Sequence, residues 1–349
     1  MGSTFARLVT AMVSGLLAVS LGADAAHAAY PGKNGKIAFT STRDGDSDIY
    51  TAEADGSNVV RIIDLPDGVG TPRWSPDGKR IAFGIGRGLG NSDIAVANAD
   101  GTDIRVIADS PVHDSGPTWS PDGKRIAFAN NGFASFNFQI MIVNADGTNP
   151  RVVTTAGINQ SPAWSPLGDR IAFDSARTEG RHIWTVDPDT LGLTQITRRN
   201  SVAHFQPDWS PDAQQLTLEV GGLDGAGIGL VPAAGAPATL VTGIGQHLGS
   251  QGDFEPAWAP DGSRILFTRG DPDDIWTMKP DGSDPTPLIT DAAADSNPDW
   301  QPIPPPARDG FKNAAHFCKA ERDYFGDADF AERYGGGANA HGKCVVSNK

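Results

Sequence analysis

Basic residues, cysteines and long apolar runs are all scarce in this chain of 349 residues, and each shortage removes a class of function. Lys and Arg total 28 against 42 Asp and Glu, a formal net charge of −14. Affinity for a phosphate backbone rests largely on clustered Lys and Arg, so no nucleic-acid partner is expected, and the acidity serves solubility. After Gly22 no segment approaches the roughly 20 apolar residues that a membrane-spanning helix needs. There is no His-Glu-x-x-His. The nearest approach to a nucleophile elbow, Leu248-Gly249-Ser250-Gln251-Gly252, has Leu in place of the first glycine. The only cysteines are Cys318 and Cys344.

The one apolar run, Leu8 to Gly22, follows Arg7 and precedes Ala26-His27-Ala28, a small-x-small cleavage pattern. Residues 1–28 therefore read as a signal peptide cut near Ala28. The mature protein is expected to be secreted or extracytoplasmic, in the periplasm or cell wall. No cysteine near the cut offers a lipid attachment point.

Six tryptophans, Trp74, Trp119, Trp164, Trp209, Trp258 and Trp300, recur at intervals of 45, 45, 45, 49 and 42 residues, each with a proline two positions before it. A period near 45 with short apolar runs and tight turns predicts a β-propeller, all-β, with four strands per unit. In the unit of Trp74, Ser75-Pro76-Asp77-Gly78 has the residue preferences of a type I turn and joins a short strand to Ile81-Ala82-Phe83. Asp100-Gly101 joins a strand at Ile94 to a last one around Ile104 to Ile107. The fifth unit is degenerate. Asp212-Ala213 replaces Asp-Gly, and five glycines between Gly221 and Gly229 are expected to weaken its strands.

The first unit, starting at Lys36 to Phe39, has no Trp strand of its own, and the last Trp strand, Asn297 to Pro302, has no unit after it. The C-terminal strand is thus expected to complete the N-terminal blade and close a six-bladed ring without an open edge. The run Trp-Ser-Pro-Asp-Gly-Lys-Arg-Ile-Ala-Phe, followed by Ile-Tyr or Ile-Trp and Asp-Gly, resembles the TolB-type WD40-like repeat, over about residues 34 to 302 and in five of six units. The resemblance implies a six-bladed propeller, as in the C-terminal domain of TolB and the propellers of prolyl-oligopeptidase-type enzymes. In TolB the propeller binds a lipoprotein at its channel mouth and follows an α/β domain. Here the first blade is expected almost directly after the signal peptide. The domains are accordingly a propeller over 29–302, a proline-rich linker over 303–310 and a small helical module over 311–349.

In that module Asn313 is a candidate N-cap, Ala314, Phe317, Cys318 and Phe325 share one helical stripe, and Gly326 can end the helix before Asp327 caps another. An exported chain with two cysteines favours a Cys318–Cys344 disulfide. The pattern around Cys318, Tyr334 and Cys344 is similar to a small C-terminal module of exported actinobacterial proteins, with His341 where that pattern has an aromatic.

Sixfold pseudo-symmetry makes equivalent positions a site finder. Five residues before each Trp stand Val69, Asp114, Asn159, His204, Asp253 and Asp295. If the chain enters every innermost strand from one face, Asp114, Asn159, His204, Asp253 and Asp295 converge near a channel mouth and could hold a polar ligand or a divalent cation. The competing reading is that Asp and Asn merely cap turns. Asp44-Gly45-Asp46-Ser47-Asp48 alternates carboxylates like a calcium loop but has Ile49 where an EF-hand needs Gly, so it reads as a loop. No cofactor is expected beyond that possible cation. The first expectation is a monomeric, non-enzymatic binding or scaffold propeller that engages a protein or cell-envelope polysaccharide through one channel face. The alternative is a metal-dependent lactonase or lyase in the channel. A third reading gives the interaction to the tail module.

Overall fold

The computed structural model describes residues 31–88, 91–132, 137–198, 202–222, 225–243, 252–308, 311, 313–334 and 339–348. The expected signal peptide and its cleavage site lie outside the described residues. Six four-stranded antiparallel sheets make up the propeller. Their innermost strands are Asp295–Ile303 in blade one, then Val69–Trp74, Asp114–Trp119, Asn159–Trp164, Ala203–Trp209 and Asp253–Trp258 in blades two to six. The ring closes as expected. Asp295–Ile303 pairs with Lys33–Ser41, placing Ile37 opposite Trp300 and Ser41 opposite Asp295, so the two ends of the propeller share one sheet.

Each repeated residue has a mechanical role. In the turn after Trp74 the Gly78 amide donates to the Ser75 carbonyl at 2.8 Å, and the Ser75 hydroxyl binds Asp77 at 2.6 Å while accepting from the Arg80 amide at 2.9 Å. Ser120 and Asp122 repeat this one blade on. Each Trp wedges against the preceding blade: Trp74 and Phe83 pack on Ile49 and Ile63, and Trp209 and Leu218 on Ile183 and Ile196. The Arg of each Lys-Arg or Asp-Arg pair then covers the next Trp, with the guanidinium of Arg80 4.5 Å from the Trp119 ring, Arg125 4.9 Å from Trp164 and Arg170 5.2 Å from Trp209.

Blade five departs from the expectation of weakened strands. Gln215–Gly222 and Gly225–Pro232 are each eight residues long and pair along their whole length. The glycines make room for neighbours here. A Cβ on Gly221 would sit 3.0 Å from the Phe205 ring, and one on Gly229 would sit 2.8 Å from Val220 Cγ2. The loop Asp44 to Asp48 joins the second and third strands of blade one. Its carboxylates are engaged by Arg61, at 3.3 Å from Asp44 and 3.1 Å from Asp48, and by the Tyr50 hydroxyl.

The tail is helical. Helix α1 (Ala314–Arg333) is capped by Asn313, whose side chain accepts from the His316 amide at 3.0 Å, and breaks at Gly326, where φ is 83°. Helix α2 (Ala340–Ser347) returns against it, and the Cys318–Cys344 disulfide joins the two inside a small core with Phe317 and Phe330. Tyr324 docks the module on the ring closure. Its hydroxyl donates to the Ile303 carbonyl at 2.7 Å and accepts from the Lys33 amide at 2.9 Å. No described helix is long and apolar enough to cross a membrane.

Candidate functional site

Every innermost strand carries the same irregularity halfway along. The third residue before the Trp, namely Thr71, Gly116, Ser161, Gln206, Glu255 and Asn297, has positive φ, between 45° and 60°. The pairing with the second strand slips by a residue there in each blade. Such a bulge turns the backbone and re-aims a side chain, and a proline follows it in all six units. Holding five non-glycine residues in the left-handed region is costly. Cross-blade hydrogen bonds offset that cost. The Thr71 amide donates to Thr40 Oγ1 at 3.1 Å, the Glu255 amide to Gln206 Oε1 at 3.2 Å and the Asn297 amide to Glu255 Oε2 at 2.6 Å.

These bulges line a channel cavity of about 210 Å³. One residue before each Trp stands a second ring: Arg73, Thr118, Ala163, Asp208, Ala257 and Asp299. Alternate members stitch adjacent blades, because Asp299 accepts the Trp74 amide at 2.7 Å, Thr118 the Trp164 amide at 3.2 Å and Asp208 the Trp258 amide at 2.8 Å. The ring is not electrostatically sixfold. Asp208, Glu255 and Asp299 face the cavity with Arg73, the single cationic side chain of that lining. Removal from bulk water pushes Asp208 up to about 6, Asp299 to about 7 and Glu255 upward, with Arg73 opposing each shift. Glu219, behind the wall, is pushed to about 7 by burial and by the Glu255 and Asp174 charges.

None of the five residues singled out from the repeat lines this cavity. Each is buried and has partners of its own. Asp295 takes two 2.9 Å bonds from Arg43, which stacks on Phe39 and Tyr50. Asp253 holds Arg269 at 2.5 and 2.7 Å, and Arg269 stacks on Phe267 and Trp276. Asn159 accepts from Ser175 at 2.7 Å and Arg177 at 2.8 Å. Asp114 binds Asn130 at 2.6 Å and Ser110 at 3.0 Å, with burial raising it to about 6. His204 lies beside His182, the ring centres 5.8 Å apart. The physical reason is position. The bulge two residues later turns the strand, so the first residue points into the seam between blades and the later ones into the lumen. Among the described residues no group of three or more His, Cys, Asp or Glu side chains is gathered as a metal could require.

Arg73, Asp208, Glu255 and Asp299 escape a search of the repeat for positions that stay polar from unit to unit. The signal was the opposite one. The residue before each Trp varies from Arg to Ala to Asp between a fixed Pro and a fixed Trp, as a position that borders the lumen can.

The comparisons with known proteins agree with this architecture. The TolB beta propeller domain matches residues 16–149 and 131–304. TolB from Acinetobacter baumannii is similar in structure at a TM-score of 0.67 and 19% identity, over 77% of this chain and 67% of that one. A chain of a nidogen/laminin complex gives 0.61 at 12% identity, over 77% and 99%. At such identities the likeness is one of fold. A short stretch of 55 residues is 38% identical to the Uncharacterized peptidase YuxL of Bacillus subtilis (strain 168), covering 16% of this chain and only 8% of that protein. With the family match running through all six blades, the chain belongs to the TolB β-propeller family.

Proposed function

We propose that the protein is a non-enzymatic, exported binding propeller that takes a protein or cell-envelope polysaccharide at one mouth of its channel. The observation that carries this reading is the asymmetric polar wall of the cavity, three carboxyl groups and Arg73 among bulges whose backbone is already satisfied by neighbouring blades. Such a wall offers fixed hydrogen-bonding groups to an inserted segment at little cost in ordering. The cavity lining reaches Pro211 and Pro260, just beyond the Trp ends of the strands, and that end is the one assigned to the partner. Export is supported by the Cys318–Cys344 disulfide, a bond that persists in oxidising compartments.

A lactonase or lyase would need a polarising metal or a free acid–base pair in the lumen. Asp208, Asp299 and Glu255 each spend an oxygen on a backbone amide, which favours the binding reading. The test is cross-linking capture from the exported fraction with wild type and Arg73→Glu/Asp299→Arg, followed by binding of the captured species to purified protein. Equal capture by a variant that folds normally would remove the channel from the proposal. Turnover of lactones or uronate polymers by purified wild type would replace it with the enzymatic reading.

A further inference from the structure

The seams between blades repeat one arrangement with different chemistry. Between blades three and four, Asn159 Nδ2 donates to Gln139 Oε1 at 2.9 Å and to Thr154 Oγ1 at 3.2 Å, and Thr154 Oγ1 donates to Gln139 Oε1 at 2.9 Å. One seam on, His182 stands in place of Gln139, His204 in place of Asn159 and Thr197 in place of Thr154. The threonine keeps its role, accepting the Ile183 amide at 2.9 Å as Thr154 accepts that of Ile140. The amide pair has become an imidazole pair.

That pair lacks the closure of its neighbour. His204 is fully buried and His182 is 3% exposed. Among the described residues neither Nδ1 nor Nε2 of His204, nor Nδ1 of His182, has a hydrogen-bond partner. Buried polar atoms are nearly always paired, and those that are not call for an explanation such as a water or an ion. His182 Nε2 lies 3.1 Å from the Glu179 carbonyl. A hydrogen bond there puts the proton on Nε2 and leaves Nδ1 as a lone pair, the arrangement by which a backbone carbonyl orients a metal-ligating histidine. The ring centres are 5.8 Å apart and the planes differ by 37°. Two imidazoles sharing one ion through bonds of about 2.0–2.1 Å have centres on the order of 5–6 Å apart. The guanidinium of Arg181, next to His182 in sequence, is taken by Asp174 and Gln160, each at 2.8 Å, so its charge is compensated.

We propose that His182 and His204 form a two-imidazole site for a divalent transition-metal cation of the zinc type, clamping blades four and five. Imidazole nitrogen suits zinc and its neighbours and not calcium or magnesium. Two protein nitrogens bind a cation more weakly than a four-ligand structural centre does.

The experiment is the thermal midpoint of the chelated, mature full chain with zinc, cobalt or calcium added singly, for wild type and His182→Gln/His204→Asn. The double variant recreates the Gln139–Asn159 pair and is expected to fold. Ligand binding to the folded state alone raises the midpoint. Zinc and cobalt are expected to raise that of wild type by on the order of 5 °C at a hundredfold excess over Kd, with no rise for calcium and none in the double variant. No rise with zinc or cobalt, an equal rise with calcium, or a zinc rise that survives in the double variant would each overturn the site. Should the variant not fold, imidazole nitrogen resonances of wild type decide. Zinc must shift those of His182 and His204, and unchanged resonances overturn the proposal.

Discussion

Five residues before each Trp the side chain turns into a seam between blades, whereas three residues and one residue before it the side chains face a common lumen. The seam positions are saturated: Asp253, Asp295 and Asn159 each hold an arginine that is itself stacked on aromatic rings. The lumen positions share one cavity and differ from blade to blade. Polar character that persists around the ring therefore marks side chains spent on neighbours, whereas in the varied lumen wall Thr118, Asp208 and Asp299 combine a bond to the next blade with a face toward the cavity. The His182–His204 seam is instructive because it keeps the stitching position and loses the stitch.

The largest effect that would sharpen this contrast comes from the closing strand. A chain ending at Ala294 loses Asp295–Ile303, the innermost strand of blade one, and with it the Asp299 stitch to Trp74. Ring closure is shared by all blades, so loss of a cooperative thermal transition is expected rather than a lowered midpoint. Next in size is Trp164→Ala, which empties a site that is 1% exposed between blades three and four. It should cost about 3–5 kcal/mol by urea denaturation. Replacing both Cys318 and Cys344 with Ser should cost the tail about 3 to 4 kcal/mol in the chain-entropy model. The ring's own transition should be unmoved, and proteolysis of the tail is the measurement that separates the two.

Seam and lumen can be set against each other directly. Asn159→Ala strands Ser175, Arg177 and Gln139, all of which it now binds. It should cost about 1–3 kcal/mol. Ser161→Ala, two residues on and in the lumen wall, should cost less than about 1 kcal/mol. Equal costs would mean that the lumen is as structural as the seam, and the channel would lose its claim as the binding surface.

Much of this was legible in the sequence because propeller repeats constrain packing residues locally. The Trp interval, the Ser-Pro-Asp-Gly turn and the orphan strand Asn297 to Pro302 each correspond to one mechanical part, found where expected. The functional positions were harder for a geometric reason. Nothing in Val69-Gly70-Thr71-Pro72-Arg73-Trp74 shows that Thr71 takes positive φ and shifts which side chains reach the axis. A strictly alternating strand would have pointed Val69 and Thr71 the same way. The pairing of His182 with His204 joins residues on two blades, and only the seam seen between Gln139 and Asn159 gives it meaning.

A last effect separates lumen and seam by their protons. In the lumen the folded state raises Asp208 to about 6 and Asp299 to about 7, so between the ordinary carboxyl range near 4 and pH 7 the folded chain holds protons that the unfolded chain has released. Stability from these groups is complete below pH 4 and is lost as pH rises through 6 to 7. In the seam burial and the neighbouring His182 depress His204 to about 4. The unfolded chain then binds the proton first, and stability is lost as pH falls from 6.5 toward 4. The two limbs oppose one another and partly cancel in wild type. Asp299→Asn keeps an acceptor for the Trp74 amide while removing the titration. It should flatten the loss between pH 4 and 7, by on the order of 1–2 kcal/mol after allowance for water in the lumen. His182→Gln/His204→Asn should flatten the loss below pH 6.5. Urea midpoints measured from pH 4 to 8 for the two variants must therefore diverge in opposite directions from wild type. Parallel curves would show that neither carboxyl nor imidazole is held away from water as the packing of this ring requires.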